Sequence, residues 1–201
     1  MAETPPQLLV PGWLNSGPKH WQSRWQQERP ELGRVDFREW QHPQPQAWTA
    51  DLRQAVLACP APPLLIAHSL GCLATANLMA LPWPPRIAGV LLVAPPDPGR
   101  PDTPAEIAGF SPPARRPFGV PGLVVISSND PYASETFSLE LAHAWGLEVV
   151  RLGACGHIND QSGYGEWPEG LVLLERVLER MTRPPIDLGR LSGEPTGQGA
   201  S

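Results

Sequence analysis

At 201 residues, 41% hydrophobic and 17% charged, the chain is long enough to bury one sizeable core and too apolar to be a disordered segment. A formal charge of −5 argues against nucleic acid as a partner. The most apolar run, residues 87–94, is too short to span a bilayer, and the opening MAETPPQ lacks the basic and apolar regions of a signal peptide. Cys59, Cys72 and Cys155 have no metal-like spacing and suit a reducing, cytoplasmic setting better than a disulfide framework.

In chain order, short apolar runs alternate with longer mixed segments. Leu8-Leu9-Val10 reads as a strand, residues 21–28 as a helix stopped by Pro30, and Val35-Asp36-Phe37 as a weaker peripheral strand. Residues 48–59 carry Leu52, Ala55, Val56 and Ala58 near helical spacing, with Thr49 as the expected cap. A strand over residues 64–67, a helix over 70–79 and a fully apolar strand over 90–93 follow. Residues 95–121 are rich in proline and aperiodic, which suggests a long connection over the edge of the sheet and the only place for a small lid. Residues 123–126 resume the sheet, 134–145 form a helix, 148–152 the last strand and 169–181 an amphipathic closing helix. The expectation is one doubly wound α/β domain over residues 1–183, a mostly parallel sheet flanked by helices on both faces with little or no lid. Residues 184–201, polar and glycine-rich, read as a disordered tail.

The stretch AHSLGC sets Ser69 between an expected strand and an expected helix, with Ala67 and Gly71 two places to either side. Small residues there let strand and helix approach, and the tight turn presents the hydroxyl at the carboxyl edge of the sheet. A serine hydroxyl is a weak nucleophile without a base. His157 follows the last strand, and its neutral imidazole can serve as that base if a carboxylate fixes its tautomer. Asp130, after the strand over 123–126, is the first choice for that acid, and Asp97, after the strand over 90–93, is the rival. The order Ser69, Asp130, His157 is that of α/β-hydrolases. The Leu70 N–H opens the next helix and can donate to an oxyanion. The second donor should come from the loop after the first strand, where Gly12 lets the Trp13 N–H turn inward, with Leu14 the near alternative. Gly12, Trp13 and His20 are the candidates for the substrate pocket.

Plainer roles compete for the same residues. Ser69 would also suit a helix N-cap, His68 a buried hydrogen-bonded position, Cys72 a small core site, and Asp160 a loop brace. Most of the eight tryptophans are expected in the core, and Arg115-Arg116 is expected to be solvated.

Taken together, PGWLNSGPKHWQSRW, AHSLGC, SSNDPYAS and GHIND followed by SGYGEWPEG resemble the small serine hydrolases of the YdeN type. That branch of the α/β-hydrolase superfamily includes retinoblastoma-binding protein nine. The resemblance runs from about residue 8 to 180 and implies a triad of Ser69, Asp130 and His157. It departs at Ala67, where glycine is commoner, and it does not specify a substrate. The expected protein is a serine hydrolase of small esters or amides, needing no cofactor and no metal, acting through an acyl-enzyme on Ser69. A protein-binding scaffold with the same fold and little turnover is the alternative from another class.

Overall fold

The protein is described by a computed structural model over residues 4–182; the tail expected over 184–201 lies outside the described residues. Six strands, β1 (Gln7–Val10), β2 (Gly33–Arg34), β3 (Leu64–His68), β4 (Gly89–Val93), β5 (Gly122–Ile126) and β6 (Glu148–Arg151), form one sheet in the order β2-β1-β3-β4-β5-β6. Every neighbouring pair is parallel. Five helices, α1 (Trp21–Glu28), α2 (Pro45–Ala58), α3 (Leu70–Met79), α4 (Glu135–Trp145) and α5 (Pro168–Thr182), cover its faces.

The apolar strands read as continuous runs because both faces are covered. Successive side chains alternate between two cores. Leu65 and Ala67 of β3, Val90 and Leu92 of β4, and Val124 and Ile126 of β5 pack with α2, α3 and α4. Leu64, Ile66, Leu91, Val93, Leu123 and Val125 pack with Trp21 and Trp25 of α1 and with Trp167, Leu174 and Val177 at α5. Each large side chain so enclosed contributes about 1.5–3 kcal/mol of burial, so the three central strands anchor the sheet.

Two elements, the second strand and the second helix, and the course of one connection differ from the sequence reading by more than a residue. The second strand pairs at Gly33–Arg34 rather than at residues 35–37. Val35 N–H still reaches the Leu9 carbonyl at 2.9 Å, but Phe37 has already left the ladder to stack on Trp48, with ring centroids 3.9 Å apart. The next helix begins at Pro45, with Gln44 as its cap position, because proline is pre-organised for a first helical turn and its missing N–H costs nothing there. Thr49 therefore sits inside the helix, its hydroxyl turned back to the Pro45 carbonyl at 2.7 Å. The proline-rich stretch between β4 and β5 crosses a face of the sheet, not its edge. Adjacent parallel strands can only be joined across a face, and Ile107, Phe110 and Phe118 fill the core on the α2–α3–α4 side. A single 3-10 turn, Ala108–Phe110, stands where a crossover helix would be.

The chain runs outward from β1 to β2 and then resumes on the other side of β1 at β3. Strand order thus reverses between β1 and β3, and in open α/β sheets ligands bind beyond the strand ends at such a point. The segments emerging there are Pro11-Gly12-Trp13 and Ser69. No helix among the described residues is long and apolar enough to cross a membrane.

Candidate active site

Ser69 joins β3 to α3 with φ 53° and ψ −126°, a backbone region that non-glycine residues rarely enter. Its N–H donates to the Val93 carbonyl of the adjacent strand at 2.9 Å, which locks the turn. The sharpness of the turn depends on two glycines. A Cβ on Gly71 would lie 2.3 Å from the Val10 carbonyl oxygen and 2.6 Å from that of Pro11, so only glycine lets α3 start against the end of β1. A Cβ on Gly12 would lie 2.8 Å from Ser69 Cβ. Ser69 occupies the N-cap position of α3, yet its side chain makes no capping hydrogen bond. Its Oγ lies instead 2.9 Å from His157 Nε2.

On the far side of that imidazole, Nδ1 lies 3.0 Å from Asp130 Oδ1 and 2.9 Å from Oδ2. Asp130 and His157 are both buried. Asp130 also accepts the Tyr132 N–H at 2.8 Å, a bond made possible by the turn through Pro131, and the Tyr132 ring meets the His157 ring edge-on at 4.5 Å. Asn129 ties the acid-bearing loop to the histidine-bearing loop, its Oδ1 accepting the Gly156 N–H at 2.7 Å. Ser127 Oγ accepts the Cys155 N–H at 2.9 Å and adds a second tie. Asp97 takes no part in this chain: its Oδ1 accepts the Gly99 N–H at 2.9 Å and braces its own turn. Of the two acids weighed from sequence, the structure brings Asp130 to the imidazole. The supporting roles of Tyr132 and Asn129 went unread in the sequence, although both lie within the SSNDPYAS motif.

A cavity of about 230 Å³ opens over Ser69, with Gly12, Trp13, His20, Leu70, Ile107 and Tyr132 in its wall. The Leu14 N–H is taken by the Trp40 carbonyl at 3.3 Å. No acceptor for the Trp13 N–H exists among the described residues, and the indole Nε1–H anchors the residue to the Gln41 carbonyl at 2.9 Å. Trp21, Trp25, Trp48 and Trp145 are fully buried, whereas Trp83 is exposed. Cys72 is buried in the core, and burial pushes its thiol up and keeps it protonated.

Two further histidines lie next to His157. His20 caps α1, its Nδ1 accepting the Gln22 N–H at 3.2 Å. Burial first, then the charge of Arg34 and the neighbouring His157, push its imidazole down to about 3. His68 is held well below the usual imidazole range, again chiefly by burial. Both rings are therefore neutral around pH 7.

The profile of the serine hydrolase family matches residues 7–176. Among solved structures, the chain is similar to a YdeN-like hydrolase from Pectobacterium atrosepticum. The two share 36% identity over 87% of this chain and 91% of that one, with a TM-score of 0.77. It is also similar to the ydeN gene product of B. subtilis, at 20% identity, 86% and 97% coverage and a TM-score of 0.70. Mouse alpha/beta hydrolase domain-containing protein 10 matches at 13% identity, 90% and 92% coverage and a TM-score of 0.67. These last two are likenesses of fold. A comparison with curated proteins gave no match.

Proposed function

Since the chain belongs to the serine hydrolase family, we propose that it cleaves small ester or amide substrates through an acyl-enzyme on Ser69. The observation that carries this reading is the unbroken line from Ser69 Oγ through both nitrogens of His157 to Asp130, every step within 3.0 Å. In this reading His157 Nε2 takes the Ser69 proton as Oγ attacks the substrate carbonyl, and Asp130 stabilises the imidazolium that forms. The Leu70 and Trp13 N–H groups donate to the developing oxyanion. His157 then gives its proton to the leaving group, and a water activated by the same imidazole releases the acyl group. The cavity volume favours small acyl groups, and esters are the better substrates because their leaving groups need less protonation. Three cysteines without a disulfide support a reducing, cytoplasmic setting.

The test is labelling by a fluorophosphonate probe together with hydrolysis of a p-nitrophenyl ester. Wild type should label at Ser69 and turn over. Ser69→Ala should lose labelling and on the order of a million-fold in kcat while remaining folded. Equal esterase activity in a clean Ser69→Ala preparation would refute the assignment.

A further inference from the structure

The His157 ring is fixed by Asp130, but its backbone hangs from a loop with one 3-10 turn, Asp160–Ser162, as its only regular element. Two buried ring N–H groups from distant elements reach consecutive carbonyls of that loop. His68 Nε2 lies 3.0 Å from the His157 carbonyl oxygen, and Trp21 Nε1 donates to the Ile158 carbonyl at 3.0 Å. A carbonyl only accepts, so the first bond requires the tautomer of His68 that carries its proton on Nε2. Ile158, a β-branched residue, is held at φ 49°, a conformation that costs about 1–3 kcal/mol and persists only where the surroundings over-determine it. This loop does not hold that shape alone.

We propose that His68 and Trp21 are positioning residues that clamp the His157 loop at the height where Nε2 meets Ser69 Oγ. The proposal rests on His157 being the base. The placement of the two donors makes them suited to this. His68 is the neighbour of Ser69 in the chain, so a single backbone junction sets both the nucleophile and the carbonyl of its base. Trp21 opens α1 and is locked in turn by ring contacts to Trp25 and Trp167 at 4.7 and 5.0 Å. The clamp would keep its proton through the reaction, because a neutral His68 has one ring N–H and that is committed to the carbonyl.

Three variants separate this role from mere packing. His68→Leu removes the donor and keeps an apolar body, His68→Gln keeps an amide donor, and Trp21→Phe deletes the indole N–H while keeping a ring. Misplacing a reacting group by about 1 Å can cost on the order of a hundredfold. The expected losses in kcat are therefore roughly tenfold to a hundredfold for His68→Leu and about tenfold for Trp21→Phe. KM should stay within about twofold for both, and His68→Gln should recover to within about threefold of wild type. A readout independent of turnover is the far-downfield NMR signal of the proton held between His157 Nδ1 and Asp130. It should be sharp in wild type and His68→Gln, and broadened by exchange in His68→Leu and Trp21→Phe. The proposal is overturned if that signal is alike in all four proteins, or if His68→Gln loses as much kcat as His68→Leu. Should wild type neither label nor turn over, the hydrolase reading fails and the catalytic purpose of the clamp with it, while the signal still reports whether the two donors hold the His157 loop. If His68→Leu does not fold, Trp21→Phe alone decides by the same two measurements.

Discussion

Asp130 and Asp97 are both aspartates just beyond the ends of adjacent strands, next to a proline, and nothing in their chemistry separates them. Their hydrogen bonds do. Asp130 has both oxygens within 3.0 Å of His157 Nδ1, while an oxygen of Asp97 is committed to the Gly99 N–H. Asp130→Asn should therefore lower kcat by about ten-thousand-fold, because an amide at that place favours the wrong imidazole tautomer. Asp97→Asn should change kcat by less than about tenfold, since an amide oxygen can still brace the turn. Measuring both on one activated ester, with folding checked by circular dichroism, decides the matter; a crippled Asp97→Asn beside a healthy Asp130→Asn would reverse the assignment.

The working element is the junction of β1, β3 and α3, where two backbones come together around Ser69. Gly12 approaches so closely that an added methyl would sit 2.8 Å from Ser69 Cβ and 3.1 Å from the His68 carbonyl oxygen. Those atoms belong to the elbow itself and cannot swing aside as the tip of a long side chain would. We expect Gly12→Ala to push the loop away from the serine, displacing the Trp13 N–H from the oxyanion position. The loss in kcat should reach about a hundredfold, with secondary structure retained. A Gly12→Ala enzyme within about threefold of wild type would show that the β1 loop does not supply an oxyanion donor. The same junction explains why Ala67 is acceptable in place of the commoner glycine. It is fully buried in the core between the sheet and α2, α3 and α4, where its single methyl packs among apolar neighbours.

At the scale of the whole molecule, the histidines next to the site link folding to pH. His20, held at about 3 in the folded protein, titrates near 6.5 once unfolded. Between those values the unfolded chain binds a proton that the folded chain refuses, so stability is full above about pH 6.5 and falls as the pH drops toward 3. For His20 alone the loss between about pH 7.5 and 5 is roughly 2 kcal/mol, and His68, shifted in the same direction, adds to it. Urea unfolding at the two pH values should show this loss. His20→Asn, which can still accept at the α1 N-cap, should reduce it. An unfolding free energy independent of pH over that range would mean that water reaches these rings. In the same range neither His20 nor His68 should contribute an ionisation to the pH–rate profile, since both stay neutral in the folded protein.

What the sequence by itself determined is whatever depends on near neighbours along the chain. The apolar runs marked β1, β3, β4 and β5 because strands buried on both faces leave few polar positions, here Gln7 and His68 at strand ends. Small residues around Ser69 marked the elbow because only they permit the turn, and the order of serine, acid and histidine followed from the order of strand ends. The second strand is displaced where propensity and packing disagree: the β-forming side chain of Phe37 is taken up by stacking on Trp48. Tertiary structure alone decided which of Trp13 and Leu14 keeps a free N–H and which face the proline-rich connection crosses, and it brings to His157 the aspartate that the sequence ranked first. It also set the roles of His68, Trp21, Asn129 and Tyr132, whose contacts join segments that the chain keeps far apart. A hydrogen bond is a matter of a few tenths of an ångström and a direction in space, and no spacing along the chain encodes either until the sheet has brought the two ends together.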